Sequence, residues 1–261
     1  MSIGIFDSGI GGLTVFKSVA ENFPQLDIYY LGDTARVPYG NKSKYTIIRY
    51  SIECSQFLIN KFDIEALIIA CNSASSYAVD ILKDKLNIPV IGVIHPGSKH
   101  ALEVSKNGKI GVIGTYATIN SNSYKKTLIQ LSDKEIQIFQ KPCPLFVPII
   151  EEGMIDSEIT KMVIKEYLQE IIEQEIDTLI LGCTHYPVLK DVIKQIYPHL
   201  NVVDSSEVII EDIKNLDINF NENGIRHIFI TDESSSFHKL KDILVGDVKT
   251  EKIELSELCT L

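Results

Sequence analysis

Short runs rich in Ile and Val alternate with longer amphipathic segments through most of the 261-residue chain. Such runs are typical of strands that are buried on both faces of a parallel sheet. The segments between them carry apolar residues at helical spacing, as in Val163, Tyr167 and Ile171, which is typical of helices packed on a sheet. This alternation predicts an α/β fold with parallel sheets. The predicted strands are 3–6, 28–31, 66–70, 90–93, 110–113, 135–139, 178–181, 201–203 and 227–230.

One strand sequence occurs twice, as Ala66-Leu-Ile-Ile-Ala-Cys71-Asn72-Ser73 and as Thr178-Leu-Ile-Leu-Gly-Cys183-Thr184-His185. Each copy is an apolar run that ends in a cysteine and small polar residues, which predicts a strand whose last residue opens into a helix N-terminus. We therefore predict two similar domains, each a mostly parallel sheet flanked by helices. We expect pseudo-twofold symmetry between them and an active site where they meet. The predicted boundaries are 1–95 plus 207–261 for the first domain and 96–206 for the second.

Composition and charge exclude several classes of function. The chain has 25 Lys and Arg against 35 Asp and Glu, and no basic cluster interrupts this acidic background, so we expect no nucleic-acid binding. Its apolar stretches are far shorter than the roughly 20 residues that cross a bilayer, so we expect no membrane span. The chain starts like a strand, without a basic segment followed by a long apolar one, which predicts a cytoplasmic protein.

The five cysteines are an odd number, and we expect free thiols rather than a disulfide framework. No Cys-x-x-Cys or His-x-x-x-His pattern occurs, so no metal site is expected. A thiol at a helix N-terminus sits in a positive field that lowers its pKa from about 8.5, which we expect for Cys71 and Cys183. A single strand-end cysteine is usually inert, and the duplication is what favours a chemical role. Cys54, Cys143 and Cys259 have no comparable neighbours and are predicted to be structural.

Polar residues that follow the strands are the candidates for a site, because ligands of parallel α/β sheets bind at the carboxyl ends of the strands. His185, two residues after Cys183, is a candidate acid/base partner of that thiol. The glycine-rich turn at 6–12 is compatible with tight-turn geometry or with anion binding at the following helix, and the sequence leaves both open. The candidates are Asp7, Ser8, Asp33, Thr34, Cys71, Asn72, Ser73, Thr115, Thr118, Cys183, Thr184 and His185.

Five segments resemble the glutamate racemases of the aspartate/glutamate racemase superfamily. They occur in the family's order, cover nearly the whole chain and are together highly specific. One departure is Ser73, where the family usually has Thr, although the hydroxyl is retained. The segments are Phe-Asp-Ser-Gly-Ile-Gly-Gly-Leu-Thr at 6–14, Gly-Asp at 32–33 with Pro-Tyr-Gly at 38–40, Ala-Cys-Asn-Ser-Ala-Ser at 70–75, 148–153 around Glu151, and Leu-Gly-Cys-Thr-His-Tyr-Pro at 181–187.

The resemblance implies an enzyme that interconverts L-glutamate and D-glutamate without a cofactor or metal and supplies D-glutamate for peptidoglycan. It implies that Cys71 and Cys183 flank the substrate Cα as two acid/base groups. Asp7 would assist Cys71, His185 would assist Cys183, and Glu151 would be a third tuning group. A homodimer is expected. The residues implied in substrate binding are Asp7, Ser8, Tyr39, Gly40, Asn72, Ser73, Thr115, Thr118, Thr184 and His185.

Two alternatives stay open at the level of sequence. A sister enzyme of the superfamily acts on aspartate with the same two-cysteine scaffold, although Cys-Thr-His at the second thiol favours glutamate. In a different class, the chain is a non-catalytic module that binds an anion or an amino acid and whose thiols are buried and inert. A racemisation assay with L-glutamate and no added cofactor separates these alternatives.

Overall fold

The computed structural model describes residues 2–216 and 224–258, and these residues form two sheets in which every strand pairing is parallel. All of the predicted strands are present. Cys259, predicted to be structural, lies outside the described residues. The strands are β1 Ser2–Asp7, β2 Asp27–Gly32, β3 Ala66–Ile69, β4 Val90–Gly92, β5 Lys109–Gly114, β6 Gln137–Pro142, β7 Thr178–Gly182, β8 Asn201–Asp204, β9 Arg226–Ile230 and β10 Lys249–Lys252.

Two strands differ from the sequence prediction, and both lie at a sheet edge. Strand β6 begins and ends later than the predicted 135–139. Strand β10 is absent from the predicted set because its sequence, Lys-Thr-Glu-Lys, is polar throughout. An edge strand has only one neighbouring strand and is more exposed than a central strand. It therefore does not need the apolar residues by which strands are recognised in a sequence.

The two sheets repeat one topology. The first sheet has the order β10-β9-β2-β1-β3-β4 and the second has the order β6-β5-β7-β8. In each sheet the first strand pairs with the second on one side and with the third on the other, and the fourth follows the third. Strands β9 and β10, the last of the chain, extend the first sheet beyond β2. The prediction of two similar α/β units is confirmed, while the exact domain boundaries stay a prediction.

Helices cover both faces of each sheet, so central strands such as β3 and β7 are buried on both sides. Successive residues of β1 and β3 enter two different apolar clusters, with Ile3 and Ile68 in one and Leu67 and Ile69 in the other. The second sheet is divided between two further clusters in the same way. Burial on both faces is why the strands read as continuous apolar runs in the sequence.

Helices follow most strands in the described part of the chain, and none of them is long and apolar enough to cross a membrane. Three short 3-10 helices occupy Thr34–Arg36, Tyr39–Asn41 and Tyr186–Leu189. The α-helices are α1 Leu13–Asn22, α2 Lys44–Phe62, α3 Asn72–Lys85, α4 Ile94–Val104, α5 Tyr116–Ser121, α6 Ser123–Leu131, α7 Phe146–Glu151, α8 Glu158–Ile172, α9 Lys190–Ile196, α10 Ser205–Lys214, α11 Ser235–Leu244 and α12 Leu255–Leu258.

Candidate active site

A small cavity lies between the two sheets, where residues that follow β1, β3, β5 and β7 come together. Its volume is about 40 Å³, which is room for roughly three water molecules at about 10–15 Å³ each. Both cysteines of the duplicated strand line it. The lining residues are Ser8, Val37, Pro38, Tyr39, Gly40, Cys71, Asn72, Ser73, Thr115, Val147, Glu151, Cys183, Thr184 and His185.

The structure brings most of the predicted site residues to this cavity. Four do not line it: Asp7 is fully buried behind the wall, Thr118 lies behind Thr115, with 3.1 Å between the two hydroxyl oxygens, and Asp33 and Thr34 lie outside the cavity. Three apolar lining residues, Val37, Pro38 and Val147, were outside the predicted site residues. Nothing in their sequence context distinguishes them from ordinary loop and helix residues, since they contribute shape rather than a polar group.

Cys71 follows β3 and is the N-cap residue of α3, as the sequence predicts. It is 4% exposed, and its thiol donates to Ser8 Oγ at 3.4 Å. Burial raises the pKa of Cys71 to about 12, and the charge of Asp7 acts in the same direction. The hydrogen bonds with Ser8 and with the Ala74 N–H oppose the shift. The expectation that the helix N-terminus lowers this pKa is therefore wrong, because the loss of solvation outweighs the helix dipole.

Cys183 follows β7 but does not open into an α-helix. A turn carries the chain from Cys183, whose carbonyl accepts the Tyr186 N–H at 3.1 Å, into the 3-10 helix Tyr186–Leu189. The predicted helix N-terminus at this thiol is therefore wrong, since α9 begins only at Lys190. The turn places His185 two residues after Cys183, and the interaction with Cys183 raises the pKa of His185.

His185 connects the second thiol to a carboxylate at the edge of the cavity. Its Nε2 lies 3.2 Å from Glu151 Oε1, and Glu151 is about one-third exposed. Burial acts to lower the pKa of His185, but the hydrogen bonds to Cys183 and Glu151 outweigh it and raise the pKa to about 10. The imidazole is therefore protonated near neutral pH and places a positive charge beside Cys183.

Asp7 is held by groups from both sides of the cavity. Its Oδ2 accepts the Gly9 N–H at 2.9 Å, and its Oδ1 accepts the Thr184 hydroxyl at 3.3 Å. Burial raises the pKa of Asp7, while the charge of His185 and these hydrogen bonds oppose the shift. The thiol of Cys71 has its hydrogen bond with Ser8, so Asp7 acts on Cys71 through its charge.

Close contacts between the two sheets' loops form the rest of the wall. The Ser73 hydroxyl lies 2.9 Å from that of Thr115, so the retained hydroxyl at this position does bridge to the second unit. Thr115 also caps α5 by accepting the Thr118 N–H at 3.2 Å, which fixes its position at the end of β5. Gly40 approaches Thr115 so closely that a Cβ on Gly40 would lie 2.6 Å from the Thr115 Cβ.

Tyr39 lines the cavity, and its hydroxyl is hydrogen-bonded to Asp33, which does not line it. The hydroxyl donates to Asp33 Oδ2, which also accepts from Arg36 Nε at 2.6 Å. Asp33 Oδ1 accepts from Thr231 on the C-terminal side of β9, at 3.1 Å. Sequence reasoning includes Asp33 among the strand-end candidates but misses Arg36 and Thr231. Thr231 is remote from Asp33 in the sequence. Arg36 and Asp33 pair with each other off the cavity.

Comparisons with known proteins show the family to which the chain belongs. A family model for Asp/Glu/hydantoin racemases matches residues 3–213. The glutamate racemase of Sulfurihydrogenibium sp. (strain YO3AOP1) is 65% identical over 261 residues, covering all of both chains. The solved structure of glutamate racemase from Aquifex pyrophilus is 48% identical, with a TM-score of 0.81, and the match covers 96% of this chain and 98% of that one. Glutamate racemase from Francisella tularensis, solved in complex with D-glutamate, is 37% identical, with a TM-score of 0.86 and 97% coverage of each chain. The chain therefore belongs to the Asp/Glu/hydantoin racemase family.

Proposed function

We propose that this member of the family interconverts L-glutamate and D-glutamate without a cofactor, using Cys71 and Cys183 as the two acid/base groups. The observation that carries the proposal is that the two thiols line one cavity from equivalent strand ends of two sheets with the same topology. Inversion of a stereocentre needs a proton acceptor on one face of the carbon and a proton donor on the other. Relatives named glutamate racemase over the full chain length support glutamate as the substrate.

The reaction moves one proton off Cα and another onto its opposite face. One cysteine, as a thiolate, forms an S–H bond as the Cα–H bond breaks, and the electron pair remains on Cα, delocalised into the carboxylate. The other thiol then donates its proton to the opposite face and becomes the thiolate. The product is the other enantiomer, and the two cysteines have exchanged protonation states, so the reverse reaction uses them in the opposite order.

The closed, buried site suits this chemistry because an α-proton is a very weak acid. Burial raises the pKa of Cys71 to about 12, and a thiolate whose parent thiol has a high pKa is a stronger base. Exclusion of water also strengthens the interactions of oriented donors with the developing charge on the substrate. The protonated His185, hydrogen-bonded to Cys183 and Glu151, supplies a positive charge on the other side.

Substrate binding is proposed for the polar groups of the cavity wall. These are Ser8, Asn72, Ser73, Thr115 and Thr184, with Tyr39 and Gly40 as neighbouring surface and with Asp7 and Thr118 behind them. The N-terminal turn of α3, directly after Cys71, presents backbone N–H groups that favour an anionic substrate. D-glutamate made here would serve peptidoglycan synthesis. A cytoplasmic location and a homodimer remain predictions from the sequence.

The proposal is tested by racemisation of L-glutamate followed by circular dichroism, with Cys71→Ser and Cys183→Ser as variants. We expect each variant to lose about 10²–10⁴-fold in racemisation rate, the usual contribution of a general acid or base. Each should still exchange the Cα proton of one glutamate enantiomer with solvent deuterium, and the two variants should act on opposite enantiomers. Racemisation at the wild-type rate by either variant would exclude the two-thiol mechanism.

The matched control is Cys143→Ser, because Cys143 is equally buried but packs in the core of the second sheet outside the cavity. A serine there can keep the contact that the Cys143 thiol makes with the Lys141 carbonyl. We expect full activity from this variant. L-aspartate, assayed in parallel, separates a glutamate enzyme from an aspartate enzyme, and inactivity of the wild type on both would favour a binding module.

A further inference from the structure

Of the two polar atoms of the Asn72 side-chain amide, only the oxygen has a hydrogen-bond partner among the described residues. Asn72 is 2% exposed, lines the cavity and begins α3 directly after Cys71. Its Oδ1 accepts the hydroxyl of Tyr124 at 2.7 Å, whereas its Nδ2 is buried and has no hydrogen-bond partner among the described residues. A buried amide N–H without a partner is costly, so this donor is a candidate to bind something that enters the cavity.

Tyr124 reaches Asn72 from the other side of the cavity. It lies in α6, which follows β5 of the second sheet, and it is 1% exposed. Its ring packs beside Gly182 at the end of β7, and its hydroxyl lies near Gly97 together with the side chain of Ser205. Burial raises the pKa of Tyr124, and a hydrogen bond from Ser205 acts against the shift. The phenol therefore stays protonated and can donate to Asn72.

We propose that Tyr124 is a positioning residue that sets which end of the Asn72 amide faces the substrate. The inference rests on the proposed function, in which Asn72 binds glutamate. A carboxamide has nearly the same shape when its oxygen and nitrogen are exchanged, so packing alone does not select one orientation. The buried phenol O–H needs an acceptor, and donation to Asn72 Oδ1 leaves Nδ2 directed away from Tyr124.

The orientation of this amide matters because the substrate is an anion. With Nδ2 free, Asn72 can donate a hydrogen bond to a carboxylate oxygen of glutamate. With the amide reversed, a carbonyl oxygen would face that carboxylate, and two acceptors would repel one another. Asn72 belongs to the first sheet's unit and Tyr124 to the second's, so the donor is oriented only when the two units are packed together.

The test is Tyr124→Phe, which removes the hydroxyl and keeps the ring. We expect the KM for glutamate to rise about five- to tenfold, the effect of about one hydrogen bond, while kcat changes less than about twofold. The control is Tyr167→Phe, whose hydroxyl accepts the Leu145 N–H at 3.3 Å away from Asn72. We expect KM and kcat of this control to remain at wild-type values. A KM for Tyr124→Phe equal to that of the control would overturn the inference.

A double-mutant cycle on the Kd for D-glutamate, measured by calorimetry, shows whether Tyr124 acts through Asn72. We expect Tyr124→Phe to weaken binding in the wild-type background and to have no further effect in Asn72→Ala. Equal weakening in both backgrounds would mean a general structural role and would overturn the inference. Should Tyr124→Phe fail to fold, Ser205→Ala in the same cycle replaces it, because the Ser205 side chain packs beside the Tyr124 hydroxyl near Gly97.

The two proposals fail in different ways. If the wild type does not racemise glutamate, the proposed function is wrong and the assignment of Asn72 to glutamate is wrong with it. If the wild type is active and binds D-glutamate, but the cycle shows no coupling between Tyr124 and Asn72, only the positioning role is wrong.

Discussion

At the scale of single residues, the two thiols of the site differ in what surrounds them. Cys71 donates a hydrogen bond to a neutral hydroxyl, and the charge of Asp7 disfavours its thiolate form, whereas Cys183 interacts with His185, whose pKa is raised. With the pKa of Cys71 raised to about 12, very little of this thiol is ionised at neutral pH. Slow alkylation of Cys71 is therefore compatible with catalysis, and thiol reactivity alone does not separate a racemase from an inert binding module.

Replacement of Glu151 with Gln tests the environment of His185. Glu151→Gln removes one of the groups that raise the pKa of His185, so that pKa should fall below its value of about 10. If protonated His185 is needed, the alkaline limb of kcat/KM against pH moves to lower pH, and activity at pH 9 falls several-fold relative to pH 7. The measurement is the pH–rate profile from pH 6.5 to 10.5, and an unchanged alkaline limb would contradict this role.

The control for this prediction is Glu170→Gln, which breaks an exposed ion pair with Lys141 on the surface.

The raised pKa of His185 also makes the stability of the folded protein depend on pH. Because the folded-state pKa of His185 lies above its ordinary value of 6.5, the stability it contributes is complete below pH 6.5 and is lost as the pH rises through about 10. Glu151→Gln should therefore destabilise the protein less at pH 10.5 than at pH 6.

At the scale of elements, the glycine-rich turn between β1 and α1 brings the two units close together. A Cβ on Gly11 would lie 2.4 Å from Thr184 Oγ1, 2.6 Å from His185 Nδ1 and 2.9 Å from the Thr184 carbonyl carbon. The Thr184 carbonyl carbon belongs to the backbone, so a side chain at Gly11 must displace the turn that follows Cys183. The close approach explains this glycine without anion binding.

Gly11→Ala is therefore predicted to impair the site more than the fold. We expect kcat/KM to fall by more than about tenfold, because the turn that carries Thr184 and His185 must move away. Gly97→Ala is the matched control, since its Cβ would make ordinary contacts of 3.5 Å or more. Thermal unfolding by circular dichroism, together with the racemisation assay, measures both effects, and wild-type activity in Gly11→Ala would contradict the prediction.

At the scale of the whole molecule, the site is shared between two units, because residues that follow strands of both sheets line one cavity. Hydrogen bonds between the units join Ser73 to Thr115 and Thr184 to Asp7. A ligand in this cavity would therefore contact both units. Ligand binding should then be visible in the stability of the whole protein.

We expect D-glutamate at about 100 times its Kd to stabilise the protein by about 2.7 kcal/mol, because it binds only the folded state. For a chain of this size that corresponds to a rise in Tm of roughly 5–10 °C. Differential scanning calorimetry with increasing D-glutamate measures the shift, and L-aspartate at the same concentration should give a smaller one. No shift in Tm at concentrations that saturate the enzyme in the racemisation assay would contradict the prediction.

Much of the fold could be predicted because strands buried on both faces must be apolar throughout. The runs at 66–70 and 178–181 therefore identify β3 and β7 directly, and the residues after them identify the cavity. Strand β10 could not be found this way, since an exposed edge strand has no such requirement. The α-helix predicted directly after Cys183 is instead a turn that leads into a 3-10 helix. The local sequence pattern does not distinguish this arrangement from the start of an α-helix.

The two-unit α/β fold, the two cysteines and the family can be recognised from the order of residue types along the chain. How these groups behave depends on the packing of residues that are far apart in the chain. Burial raises the pKa of Cys71 although a helix begins beside it, since desolvation depends on everything packed around the thiol. The contacts of Asn72 with Tyr124 and of Gly11 with Thr184 join residues far apart in sequence, so no local pattern specifies them.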